Sequence, residues 1–382
     1  MRLLESLKIE PDTRVILRTD YNVSVVNGKV QDDFRIKSSL QTIEYLLERK
    51  AKIIIMSHMG RPKGRDRSLS LKPIAEHLGI LLDKKVLFFG DVESALSGIE
   101  DMRPGDVAML ENLRFFPGEE ASDKKFAHEL SKLGDVYVDD AFAVAHRKHT
   151  SVFLLPRLLP PAAGFLIQKE VSVLDDILLV RKPPVVFILG GAKVETKVKI
   201  FVKLLHKLDA VCVGGLLANS ILAAKGIAVG KSRYEDIEQY VEEFDITDKR
   251  LHLPLDVIVS KDPSGRSPVR TAAIGDVKND EIILDAGPDT VKLFSKVIED
   301  AGTVVWNGPL GAFEVKKFGK ATRDLAKELK NTGARVIVGG GDLVRAIHEA
   351  GAEKSIYYQS TGGGAMLEYL AEGTLPALEV LQ

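Results

Sequence analysis

One cysteine is too few for an internal disulfide or for a metal site built on several thiolates. Cys212 sits in the apolar run Ala210–Val213, where a buried, inert thiol is expected. The formal net charge is -1, which disfavours a general nucleic-acid or membrane-surface binder. No uninterrupted apolar run approaches membrane-spanning length. Glu5 and Lys8 interrupt the amino terminus where a signal peptide needs apolar residues. A cytoplasmic enzyme with no nucleic-acid or membrane partner is expected. The nucleotide signatures that rest on one motif are also missing. There is no G-x-x-x-x-G-K-[ST] loop and no G-x-G-x-x-G fingerprint. His146-Arg147-Lys148-His149 has no partner at a zinc-binding spacing, and no carboxylate–histidine pair stands out as a general base.

What is present divides by position. Arg18, Arg35, His58, Arg61, Arg114, His146, Arg147 and His149 all lie in the first half, and with a net charge near zero their clustering is local. Gly190-Gly191-Ala192-Lys193, Gly339-Gly340-Gly341-Asp342 and Gly362-Gly363-Gly364 lie in the second. Guanidinium forks match carboxylate and phosphate oxygens. Glycine-rich turns that open helices offer free N–H groups and a positive dipole end to phosphates. Taken singly, each arginine reads as a surface side chain, and each glycine turn fits a tight strand-to-helix connection as well as it fits a phosphate site. Together they point to a small, highly charged anion in one half and a nucleotide in the other.

The chain of 382 residues suits two domains. Apolar, β-branched runs recur at Arg14–Arg18, Lys52–Ser57, Val86–Phe89, Val107–Leu110 and Val136–Val138. They recur again at Val185–Leu189, Ala210–Val213, Leu255–Val259, Thr303–Trp306, Arg335–Val338 and Ser355–Tyr358. Nearly continuous apolar runs mark strands buried on both faces, as in parallel sheets covered by helices. Between the first two, Ile36, Leu40, Ile43 and Leu47 keep the helix period, with Lys37, Glu44 and Glu48 opposite. The fold class is α/β, with two doubly wound (Rossmann-like) parallel-sheet domains. Pro156, Pro160 and Pro161 break the chain before a predicted helix over Phe165–Val180, and Pro183 and Pro184 stop it. Phe165, Ile167, Val171, Leu174 and Leu178 are its expected buried positions. Such a helix is a stiff connector, with hinge motion at its ends. The expected boundaries are 1–164, an interdomain helix at 165–180, 181–370, and a tail at 371–382.

The polar residues follow the strands directly, where open α/β sheets bind ligands. Lys193 and Lys197 lie four apart and share a helix face. Asp342 is placed to hold a metal, and a carboxylate acceptor, already ionised at neutral pH, would need no general base.

These residues resemble the phosphoglycerate kinase family along essentially the whole chain. The motifs RTDYNV, DDFRI, SHMGRP, LENLRF, DDAFAVAHRKH, LGGAKV, WNGPLGAFE, VGGGD and STGGGA occur in the family's order. The resemblance implies a two-domain hinge enzyme of glycolysis. It would move a phosphoryl group between ATP and the carboxylate of 3-phosphoglycerate, with Mg2+, giving 1,3-bisphosphoglycerate and ADP. By motif match, Asp20, Asn22, Arg35, His58, Arg61, Arg114 and Arg147 hold 3-phosphoglycerate, and His146 and His149 complete the basic patch. Lys193 and Arg35 neutralise the phosphoryl group in flight. Lys197 holds nucleotide phosphate, Glu314 the ribose and Asp342 the magnesium. The backbone of Gly340, Gly341, Asp342 and Leu343 cradles phosphates, and Gly214-Gly215 borders the adenine slot. The tail from Leu375 returns to the first domain, and a monomer is expected.

The chain departs from the family pattern at Ser24, usually proline, and at Ala143-Val144, usually Gly-Thr. An acid commonly precedes the second lysine, where this chain has Thr196, with Glu195 one place earlier. Leu343 stands where a hydroxyl residue is commonest, and this removes a hydroxyl near the phosphates. An active enzyme is favoured over a non-catalytic nucleotide-binding homologue, since the arginines, histidines, Lys193, Lys197 and Asp342 are all present. An NAD-dependent dehydrogenase is the other alternative, and the absent dinucleotide fingerprint counts against it.

Overall fold

Two six-stranded parallel sheets organise the computed structural model, which describes residues 1–179, 182–241 and 245–382. One compact unit comprises Met1–Ser172 with Thr374–Gln382, and the other comprises Val173–Gly373. Among the described residues, no helix is long and apolar enough to cross a membrane.

In the first unit the strands lie side by side in the order Val86–Phe89, Val107–Leu110, Lys52–Met56, Arg14–Thr19, Val136–Asp140, Pro161–Ala163. The central strands are wholly apolar over most of their length because helices cover both faces. Val15, Ile16, Leu17, Ile53, Ile54 and Ile55 are all fully buried. The predicted first helix appears as two, Phe34–Ser38 and Leu40–Glu48, with Ser39 at the break. Ile36 and Ile43 reach the core as expected. The edge strand Pro161–Ala163 falls in a proline-rich stretch read from sequence as a breaker. Its pairing needs only an edge position, which proline tolerates. The tail joins the same unit: Arg2 N–H donates to the Leu381 carbonyl at 2.6 Å, and Ala377 N–H to the Ala145 carbonyl at 3.0 Å.

In the second unit the parallel strands are Val185–Leu189, Ala210–Val213, Leu251–His252, Thr303–Asn307, Arg335–Gly339 and Tyr358–Ser360. Counted along the chain, their spatial order is 3-2-1-4-5-6. The direction of winding therefore reverses between Val185–Leu189 and Thr303–Asn307, which opens a crevice at their carboxyl ends. The run Leu255–Val259, expected as another parallel strand, is Asp256–Ser260 in a separate antiparallel sheet with Val269–Ala273 and Ile282–Ala286. Of its flanking strands, Val269–Ala273 escaped the sequence reading because it is half-polar and largely exposed.

The helix Phe165–Leu179 runs from the first unit into the second, and Val180 lies outside the described residues. Its buried apolar positions are Ile167, Val173, Leu174 and Ile177. At its start, Asp140 Oδ1 accepts from Leu166 N–H at 2.9 Å, and Thr42 Oγ1 accepts from Phe165 N–H at 2.9 Å. At its end, Tyr369 donates to Asp175 at 2.7 Å and Arg335 to Asp176 at 3.2 Å.

Candidate active site

The carboxyl ends of the first sheet carry the basic cluster. Asp20 follows the strand Arg14–Thr19 and organises its neighbours. Arg35 Nη1 lies 2.9 Å from Asp20 Oδ2, Asn22 N–H donates to Asp20 Oδ1 at 3.0 Å, and His58 Nδ1 is 3.8 Å away. Asn22 Oδ1 in turn accepts from Gly60 N–H at 2.9 Å, which fixes the turn that presents the exposed Arg61. Arg114 donates to the Gly60 carbonyl, and its Nε is 3.2 Å from Glu120. Thus Asp20, Asn22, Arg35 and His58 are joined by direct contacts, and Gly60 links Arg114, from a fourth chain segment, to Asn22.

Arg18 lies beneath this layer. It is 1% exposed, with Nη2 3.4 Å from His58 Nδ1 and Nε donating to Ser151 Oγ at 2.8 Å. Ser151 donates to the buried Glu119 at 2.6 Å. Sequence reasoning missed Glu119 and Ser151, since an acidic Gly-Glu-Glu stretch reads as solvated surface. It also missed Asn112, whose side-chain amide donates to the Met59 and Leu69 carbonyls at 2.8 Å and sets the loop bearing Arg114.

The cluster is crowded with positive charge. Burial, then Arg18, Arg114, Arg147 and Arg35, holds His58 well below its usual value. Burial, then Arg147, Arg114, Arg18 and His146, pushes His149 down to about 3. Arg114 falls to about 10 through burial and then Arg147, and Arg147 is lowered by burial and then Arg61. His58 and His149 are therefore neutral at pH 7 and enter the patch as hydrogen-bonding groups, while the guanidiniums carry its charge. A bound polyanion relieves repulsion that these groups otherwise exert on one another. The departures nearby are accommodated: Val144 is buried, and Ser24 is exposed at a turn closed by Gln31 N–H.

In the second unit the glycine turns meet at the crevice. Gly190 N–H donates to the Asn307 carbonyl at 2.9 Å and Gly191 N–H to the Pro309 carbonyl at 2.7 Å. A Cβ on Gly190 would run into that Pro309 carbonyl, so only glycine lets the two loops touch. Lys193 is the exposed N-cap of the helix Val194–Leu204. One turn on, Lys197 is buried and donates to the Gly190 carbonyl. Burial and then Lys193 lower its pKa to about 8. The side chain of Thr196 lies outside the described residues, and Glu195 pairs with Lys199 at 2.7 Å on the surface.

A cavity of about 610 Å³ adjoins these turns, a size suited to a nucleotide. Its walls include Gly214, Gly215, Leu284, Leu310, Glu314 and Asp342. Gly340 is the N-cap of the helix Gly341–Glu349, and Asp342 is exposed in its first turn, 3.6 Å from Arg345. Leu343 corrects one expectation. Its side chain is fully buried in the core of this unit, so the hydroxyl argument does not apply to it and only its backbone remains for a phosphate.

The phosphoglycerate kinase family model matches residues 5–373. The chain belongs to that family. It is 43% identical over 374 residues to phosphoglycerate kinase from Aquifex aeolicus, covering 96% of this chain and 94% of that one. Over 390 residues it is 43% identical to phosphoglycerate kinase from Thermomicrobium roseum, covering 100% and 99%. The structure of phosphoglycerate kinase from Pyrococcus horikoshii superposes with a TM-score of 0.86 at 32% identity, over 100% and 98% of the two chains. That from Coxiella burnetii gives 0.81 at 36% identity, over 100% and 99%. As a family member the chain is an ATP-dependent kinase that transfers a phosphoryl group reversibly between ATP and the carboxylate of 3-phosphoglycerate. Neither the non-catalytic nor the dehydrogenase alternative is favoured.

Proposed function

We propose that 3-phosphoglycerate is held by Asp20, Asn22, Arg35, His58, Arg61, Arg114 and Arg147, with His146 and His149 completing the site. The observation that carries this reading is the convergence of mutually repelling arginines on a neutral His58, around the carboxylate of Asp20. Asp20 orients Arg35 and is not a base, since the acceptor carboxylate is already ionised at neutral pH.

The nucleotide lies on the second unit, with its base beside Gly214-Gly215, its ribose at Glu314 and its phosphates at Lys197 and the N–H groups from Gly340 to Leu343. The helix dipole of Gly341–Glu349 favours that charge. Lys193 and Arg35 stabilise the phosphoryl group as it moves, when its charge spreads over its equatorial oxygens. Asp342, an exposed carboxylate on the cavity wall, fits a magnesium ion that completes its shell with phosphate oxygens and water. Magnesium bound there would neutralise charge on the β- and γ-phosphate oxygens. Transfer needs the acceptor carboxylate oxygen within roughly 3–3.5 Å of the γ-phosphorus and in line with the leaving oxygen, so the reacting complex brings the two substrates together. The boundaries 1–164, 165–180, 181–370 and 371–382, a monomer and a cytoplasmic setting belong to the same proposal.

Separate titrations test it. Arg147→Gln is expected to lose 3-phosphoglycerate affinity and keep that for ADP, and Lys197→Ala to do the reverse. Loss of both ligands in either variant, with the fold intact, would contradict two independent binding sites.

A further inference from the structure

Three buried aspartates in this protein cap helices that begin elsewhere in the chain. Asp140 does so for Phe165–Leu179, as described. Asp256 accepts from Asp289 N–H at 3.2 Å and Thr290 N–H at 2.8 Å, at the start of Pro288–Glu299. Asp285 accepts from Ala321 N–H at 3.0 Å, in the first turn of Lys320–Glu328, while its other oxygen accepts from Ala286 N–H at 3.0 Å. In each case a glycine presses directly on the carboxylate: Gly164, Gly287 and Gly311, where a Cβ would collide with it.

Asp285 differs from Asp256 in what its glycine belongs to. Gly311 lies in the loop Gly308–Glu314, which supplies Leu310, Gly311, Ala312 and Glu314 to the wall of the cavity, and Asp285 itself lines that cavity. Asp256 and Gly287 do not line it. Two further bonds staple the loop at the same place. Ala312 N–H donates to the Leu284 carbonyl at 2.8 Å, and Leu310 N–H donates to Thr322 Oγ1 at 2.9 Å. The carboxylate of Asp285 therefore sits where strand Ile282–Ala286, the loop and helix Lys320–Glu328 meet. Burial raises its pKa to about 7, against the pull of the Ala321 and Ala286 N–H groups.

We infer that Asp285 is a positioning residue for the nucleotide, holding the loop Gly308–Glu314 at the distance from the cavity that lets Leu310 meet the base and Glu314 the ribose. This rests on the nucleotide site proposed above. Both carboxylate oxygens accept backbone N–H groups, so asparagine, with one acceptor oxygen and one NH2, cannot satisfy both. The strain falls on the loop that the glycine abuts.

Calorimetric titration of the full chain with ADP and magnesium tests it, alongside melting temperature and the KM for 3-phosphoglycerate. Asp285→Asn is expected to weaken ADP about tenfold, the scale of one hydrogen bond to a charged group, with the KM for 3-phosphoglycerate unchanged. Asp256→Asn, which disrupts the same capping device away from the cavity, is expected to lower the melting temperature and leave ADP affinity unchanged. Thr322→Val removes the second staple of the same loop and is expected to weaken ADP in the same direction, which keeps the test open if Asp285→Asn does not fold. ADP affinity unchanged in Asp285→Asn or in Thr322→Val, or an equal loss in Asp256→Asn, would overturn the positioning role. Lys197→Ala separates the two readings. If it loses ADP while Asp285→Asn keeps it, only the positioning role falls; if it binds ADP as the wild type does, the proposed nucleotide site falls too.

Discussion

Arg35 Nη1 lies 2.9 Å from Asp20 Oδ2 and also donates to the Asn22 carbonyl at 3.1 Å. The guanidinium is thus held before substrate arrives, and its side chain stays partly exposed. A cation fixed in this way stabilises charge that develops during transfer at little reorganisation cost. Arg35→Ala is expected to lower kcat by roughly 100- to 1,000-fold, the range for losing one such donor. Its effect on the KM for ATP should be small. Steady-state kinetics with both substrates varied decide the matter.

Lys193 and Lys197 are predicted to separate in function. Lys193 is an exposed N-cap, free to follow a phosphoryl group, whereas Lys197 is buried and tied to the Gly190 carbonyl. Lys193→Ala should slow transfer far more than it weakens ATP binding, and Lys197→Ala should weaken nucleotide binding directly. Single-turnover rates and ADP titrations distinguish them. Near-normal turnover in Lys193→Ala would remove it from the catalytic role.

Leu343→Thr is a stability test. The leucine is fully buried in the core cluster that includes Val338 and Ile347, so threonine removes packing volume and buries a hydroxyl. A loss of about 2–4 kcal/mol is expected by chemical denaturation, with ADP affinity nearly unchanged in the folded protein. A threonine variant as stable as the wild type and binding ADP more tightly would return the side chain to the phosphate site.

His149 gives the pH dependence. An unfolded histidine takes its proton near 6.5, and folded His149 near 3. Between those values the unfolded chain binds the extra proton, so His149 subtracts stability as pH falls through that window. His149→Gln should flatten the fall in melting temperature between about pH 7 and about pH 4. The buried Asp139 and Asp140, raised by burial to about 6 and about 7, act with the opposite sign. The comparison is therefore variant against wild type at each pH.

The parts of this protein that were legible in its sequence are those where one physical demand dominates. Strands buried on both faces must be apolar, so nine of the eleven predicted runs fall in the two parallel sheets, while Ser355–Tyr358 meets its strand, Tyr358–Ser360, only at Tyr358. Leu255–Val259, apolar apart from Asp256, lies in the antiparallel sheet instead, and nothing in the run itself distinguishes parallel from antiparallel pairing. Charged residues at strand ends were legible because little else places arginine there. What supports them was not. Glu119, Ser151 and Asn112 act through contacts over 30 or more positions, and nothing local marks them. Leu343 misled for a related reason: its place after Gly341-Asp342 suggests the phosphates, but the helix turns its side chain into the core.

Phosphoryl transfer to the carboxylate is followed by incubating the purified chain with γ-phosphate-labelled ATP, magnesium and 3-phosphoglycerate and tracing the label. Label is expected on the carboxylate of 3-phosphoglycerate, trapped as the acyl phosphate, with transfer reduced about 100-fold or more in Arg35→Ala and in Lys193→Ala. Label released only as inorganic phosphate, or transfer undiminished in both variants, would rule out this chain as a kinase acting through Arg35 and Lys193.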